Sequence, residues 1–140
     1  MKSVNKNLNS NISQQLFYLL VLVLFLRIDL VFENNTPTGG DMGAHIVAID
    51  TFIKDFMPNF QINGWSNDWF GGYPLYYFYF PLPAIITFFL NLIFPFGIAF
   101  KIMVVLSIIL VVYSIEKLMR KTSNQISIYG ATAGLFYVFT

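Results

Sequence analysis

Polar and apolar positions are sorted into long blocks along this chain. Residues 1–11 are polar and rich in Asn, with Lys2 and Lys6; residues 33–75 mix turn formers with most of the acids; nearly everything else is hydrocarbon. A helix needs about 20 mostly apolar residues to cross a bilayer, because unpaired backbone groups cannot be left in lipid. On that measure the pattern predicts spans at 12–32, 76–94 and 96–115. A fourth run, 124–140, is apolar from Ile126 and still apolar at Thr140. The expected fold class is all-α: a polytopic transmembrane helix bundle with an interfacial amphipathic helix in the first loop.

The boundaries carry their own signals. Arg27 and Asp29 lie near one end of the first span, where they can reach the interface or each other. Two Lys ahead of a short apolar run also describe a secretory signal peptide. No small-residue cleavage site follows Leu26, which favours an uncleaved anchor. Phe94-Pro95-Phe96-Gly97 predicts a tight turn between the second and third spans. Glu116, Lys117, Arg120 and Lys121 mark the end of the third, and Gly130, Ala131, Ala133 and Gly134 give the fourth a small-residue packing face. With no polar tail after that run, the sequence reads as the N-terminal portion of a larger membrane protein, a fragment.

Orientation is contested within the sequence. With a cytoplasmic N-terminus, loop 33–75 lies outside, and the next two spans would put Lys117, Arg120 and Lys121 outside as well. The positive-inside rule prefers those three in the cytoplasm. The rule alone therefore favours the reverse orientation. It is also satisfied if 76–94 is re-entrant, or it is outweighed by helices downstream.

Composition agrees with the block pattern. Of the 140 residues 56% are hydrophobic and 11% charged, against roughly a quarter charged in a soluble domain; mean hydropathy is +0.65. A net charge of +1 provides no basic field for nucleic acid. The absence of Cys excludes disulfides, thiolate metal sites and cysteine nucleophiles. The partner that composition implies is the lipid bilayer.

Polar chemistry is confined to 33–75. Thr36-Pro37-Thr38-Gly39-Gly40 predicts a turn. Asp41 then stands as an N-cap, ahead of a helix over 42–57 that Pro58 stops. Ile46, Ile49, Phe52, Ile53 and Phe56 recur at helical spacing on one face, with Asp50, Thr51, Lys54 and Asp55 away from it. At this length and polarity the helix is expected to lie in the membrane interface, apolar side down. Asp41 and His45, at i and i+4, project to the same side. Such a pair can bind a divalent cation or move a proton; the plainer reading makes Asp41 a cap and His45 an edge residue.

Past Pro58, both tryptophans fall within five residues. Trp65, Asn67, Asp68, Trp69 and Tyr73 interleave aromatic rings with amides and an acid. Rings that stack on sugar C–H faces and side chains that bond hydroxyls suit carbohydrate. Aromatic residues also gather at membrane interfaces for amphipathic reasons alone, so Tyr73, Tyr76, Tyr77 and Tyr79 equally describe an aromatic belt. Gly71-Gly72-Tyr73-Pro74 predicts a bend into the next apolar run.

The order of these parts is distinctive: a first apolar span, Gly40-Asp41-Met42-Gly43-Ala44-His45, a helix, Trp65 with Trp69-Phe70-Gly71-Gly72-Tyr73-Pro74, then Tyr77-Phe78-Tyr79-Phe80-Pro81-Leu82-Pro83. Over most of residues 15–120 it resembles a family of polytopic prokaryotic membrane proteins labelled 6-pyruvoyl-tetrahydropterin synthase-related. The label's zinc chemistry, built on three histidines, does not carry over to a chain with one His. The layout is also similar to the N-terminal part of the GT-C superfamily of membrane glycosyltransferases. That resemblance implies an extracytoplasmic loop 33–75 in a prokaryotic cell membrane and a polyprenyl-phosphate-linked sugar as donor. It further implies Asp41 as general base or metal ligand, assisted by His45. Trp65, Asn67, Asp68, Trp69 and Tyr73 would then lie along the sugar or acceptor path. Many GT-C members carry a second acid here; Asp41 has no acidic neighbour, and Asp50 falls on the other side of the helix. The rival readings are a non-enzymatic transporter or assembly subunit, and a fragment with no activity of its own.

Overall fold

A computed structural model describes residues 16, 20–21, 23–24, 26–68 and 70–123. The predicted tail 1–11, most of the predicted span 12–32, Trp69 and the predicted span 124–140 lie outside the described residues. In chain order come α1 (Ile28–Val31), α2 (Met42–Thr51), a wide π turn (Phe52–Phe56) and a 3₁₀ turn (Met57–Asn59). Strands β1 (Gly64–Ser66) and β2 (Tyr73–Leu75) follow, then α3 (Leu82–Asn91) and α4 (Phe96–Ser123). Contacts divide the chain into two compact units, one formed by Val31–Val104 and the other by Met1–Leu30 with Val105–Thr140.

The core of the Val31–Val104 unit explains its local structure. Ile49, Phe52, Phe56, Leu75, Ala84, Phe100 and Met103 form one buried cluster, with Ile46, Ile53, Tyr76 and Ile85 packed against it. Two successive turns of the chain must deliver both Phe52 and Phe56 to this cluster. The π turn does so, placing their rings edge-on at 6.4 Å, and Tyr76 meets Phe52 edge-on at 5.4 Å. Each such ring removed from water contributes about 1.5–3 kcal/mol. Phe60, at φ 54°, ends the helical path in the left-handed region, and Gln61 N donates to Phe56 O at 3.0 Å. The strands pair antiparallel, with Gly64 opposite Leu75, Trp65 opposite Pro74 and Ser66 opposite Tyr73.

The start of α4 is tied to the loop that precedes α2. Lys101 Nζ donates to Glu33 O at 2.6 Å and to Asn35 Oδ1 at 2.8 Å, while Asn35 Nδ2 donates to Glu33 Oε2 at 2.9 Å. A Cβ on Gly97 would stand 2.6 Å from Asn35 O, so only glycine permits that approach.

In the other unit, Arg27 and Asp29 meet through two hydrogen bonds, 3.0 and 2.7 Å, the reach expected from their spacing. The distal part of α4 exposes Leu106, Ile109, Leu110, Tyr113 and Leu118.

These observations correct the expected fold class. The described residues do not form a polytopic helix bundle: one helix among them, over Phe96–Met119, is long and apolar enough to cross a membrane. It measures about 36 Å at 1.5 Å per residue, and only 22% of its most apolar window is buried. The run 76–94 holds only α3, ten residues or about 15 Å, against a hydrocarbon thickness of about 30 Å. Proline is the reason. Pro81 and Pro83 confine the helix start to Leu82, and Pro95 closes the turn after Phe94. Nor is the chain all-α, since the loop contains a two-stranded sheet. The helix expected over 42–57 as an interfacial element is α-helical only to Thr51. Its apolar face is buried against protein rather than laid on a bilayer.

Candidate functional site

The sequence-predicted residues fall into two groups at opposite ends of α2. Gly39 and Gly40, both at positive φ, turn the chain into the helix. Asp41 occupies the N-cap position, yet its side chain makes no capping hydrogen bond. Its carbonyl accepts the first backbone bonds of the helix, from Ala44 N at 3.0 Å and His45 N at 3.3 Å. The carboxylate is thus exposed and free of the structural duty that its position suggested. His45 is exposed one turn further on. Among the described residues no hydrogen bond or ion pair joins the two.

The second group is built on the hairpin. The Thr51 hydroxyl lies 2.9 Å from Val47 O and 2.5 Å from Asp68 Oδ2, to which it donates. Ser66 Oγ donates to the same carboxylate oxygen at 3.2 Å and accepts from Asp68 N at 3.3 Å. Thr51 and Ser66 are buried while Asp68 is exposed. The network therefore pins the hairpin to the end of α2 and leaves one edge of a carboxylate at the surface. Trp65 Nε1 donates to Asn67 Oδ1 at 3.1 Å. The indole lies against the backbone of Gly72, where a Cβ would meet Nε1 at 2.5 Å and φ is +115°. One exposed ring, Trp65, and one exposed amide, Asn67, thus sit at the tip beside Asp68 and half-buried Tyr73.

Electrostatics follow this packing. Burial, and then the charge of Asp68, hold the Tyr73 phenol above its ordinary range. Burial does the same more strongly for Tyr76. On the outer face of the helical segment the Asp50 carboxylate, 2.6 Å away, raises the Lys54 ammonium.

The structure brings Trp65, Asn67, Asp68 and Tyr73 together and does not bring Asp41 and His45 to them. Thr51 is ten residues past Asp41, an axial separation of about 15 Å. Sequence reasoning placed Thr51 on the polar face and passed over Ser66; both are buried partners of Asp68. Helical periodicity could not reveal this, because the ladder changes pitch directly after Thr51 and the partner comes from the hairpin. Among the described residues no cluster of three or more His, Cys, Asp or Glu side chains could hold a metal ion; Asp41 with His45 offers two donors.

No protein-family model matches the chain, and neither a curated protein nor a solved structure is detectably similar to it.

Proposed function

We propose that this chain is part of a membrane glycosyltransferase of the GT-C kind, acting on a polyprenyl-phosphate-linked sugar. The observation that carries the proposal is the unused carboxylate of Asp41 at the head of α2, in the position where the resemblance puts the general base. Asp41 takes the proton of the acceptor hydroxyl as that oxygen attacks the anomeric carbon, and the polyprenyl phosphate departs. His45 stands one turn away to relay the proton. Trp65, Asn67, Asp68 and Tyr73 offer ring faces and hydrogen-bonding edges to sugar. Their separation from Asp41 suits an extended glycan or carrier rather than a single ring.

Topology supports an extracytoplasmic site. With α3 too short to cross, α4 is the crossing between loop 33–75 and Lys117, Arg120 and Lys121. Those three cations then lie in the cytoplasm while the loop lies outside, and the conflict between loop placement and the positive-inside rule disappears.

The test is Asp41→Asn in the full-length protein, which keeps size and N-cap preference while removing the base. Lipid-linked glycan transfer should fall by about 10²–10⁴-fold at normal protein levels. Unchanged transfer would remove Asp41 from the chemistry. The separation of the two groups favours a second reading, a non-enzymatic membrane subunit whose aromatic residues are anchors. That reading predicts no loss in the same assay.

A further inference from the structure

The aromatic segment between the hairpin and α3 has no part in the site above. Tyr77, Phe78, Tyr79 and Phe80 are consecutive and all exposed, Phe78 by 87% and Phe80 by 77%. Leu82 at the head of α3, with Phe89, Leu92 and Ile93 at its far end, extends the apolar surface. Single exposed apolar side chains are ordinary, but a contiguous run of large ones marks an interaction surface.

Two features decide what covers it. From Trp69 to Phe100 the chain carries no Asp, Glu, Lys, Arg or His. The rim of a surface for a soluble protein partner is polar, and this stretch brings no charged side chain to one. Tyr alternates with Phe, so hydroxyls for the head-group layer are interleaved with rings for the acyl boundary, the composition that partitions to a bilayer interface. The same compact unit continues into the first turns of α4, the helix able to cross the membrane. The backbone limits the depth. Tyr77–Phe80 lies outside helix and strand, so its peptide groups need water or head groups and cannot enter the hydrocarbon core.

We infer that Tyr77–Leu82 is a lipid-docking loop, seated at the head-group boundary with the Phe78 and Phe80 rings against the acyl chains. The inference rests on the membrane half of the proposal above and is independent of Asp41. The loop holds the Val31–Val104 unit at the bilayer surface by a second attachment.

The chain has no native cysteine, so nitroxide labels can be placed singly at Phe78→Cys, Phe80→Cys, Asn63→Cys and Leu106→Cys in phosphatidylcholine vesicles. Collision rates with oxygen and with a water-soluble nickel chelate then report depth. Labels at 78 and 80 should be several-fold less accessible to the chelate than the label at 63, and shallower than the label at 106. Labels at 78 and 80 that match the one at 63 overturn the docking loop. If the label at 106 is deep in that case, only the loop is wrong; if it too matches 63, the membrane reading fails as well. Shielding at 78 that appears only at high protein-to-lipid ratio, with spin–spin broadening, means a second copy covers the loop and also overturns the inference.

Discussion

Tyr76 shows how a single side chain ties the hairpin to the core. Its ring packs edge-on against Phe52, and its backbone, at φ 60°, turns the chain from β2 toward α3. Burial raises its phenol above the ordinary value near 10. In the unfolded chain the phenol loses its proton first. The unfolded state then binds fewer protons than the folded one, and stability falls as pH rises. The contribution is complete below about pH 10 and is lost progressively above it. Unfolding followed by tryptophan fluorescence across alkaline pH should show that decline, and Tyr76→Phe should flatten it; an equal decline in the variant would mean that other groups cause it. At this scale the sequence was legible for Asp41 as the residue at the N-cap position of α2, though not for a carboxylate that makes no capping bond. It was not legible for Thr51, which is buried and bonds Asp68 from 17 positions away, or for Ser66, which is buried on the hairpin and bonds the same carboxylate.

Among elements, the apolar stripe of Ile46, Ile49, Phe52, Ile53 and Phe56 was readable from its spacing, and all five belong to or pack on the core. Periodicity specifies that a stripe is covered, not whether lipid or protein covers it. Phe100 and Met103 of α4, with Ala84 of α3, cover this one. Hydropathy likewise scored 76–94 as a span, because a sum over side chains does not register where Pro81, Pro83 and Pro95 interrupt the backbone. α3 and α4 can be separated by charge. A lysine at the centre of a membrane-crossing helix costs about 2.5–3.5 kcal/mol of insertion free energy. Ile109→Lys in α4 should therefore sharply reduce membrane integration in an insertion assay, whereas Phe89→Lys in α3 should have little effect. Equal losses from the two substitutions would restore a second crossing at 76–94.

At the scale of the whole molecule, the described residues comprise a folded, aromatic-edged unit, Val31–Val104, and one helix, α4, long and apolar enough to cross a membrane. The unit presents Asp41 at one end of α2 and a Trp–Asn–Asp–Tyr surface at the other. Ser66, a natural choice for labelling from its sequence, is buried in the hairpin; Asn63 is exposed and suits the purpose better. The most direct test compares Asn63→Cys with Lys121→Cys, using an impermeant thiol reagent on intact cells. The account predicts that position 63 is labelled at once and position 121 only after the membrane is opened. Labelling of both positions from the same side would contradict it.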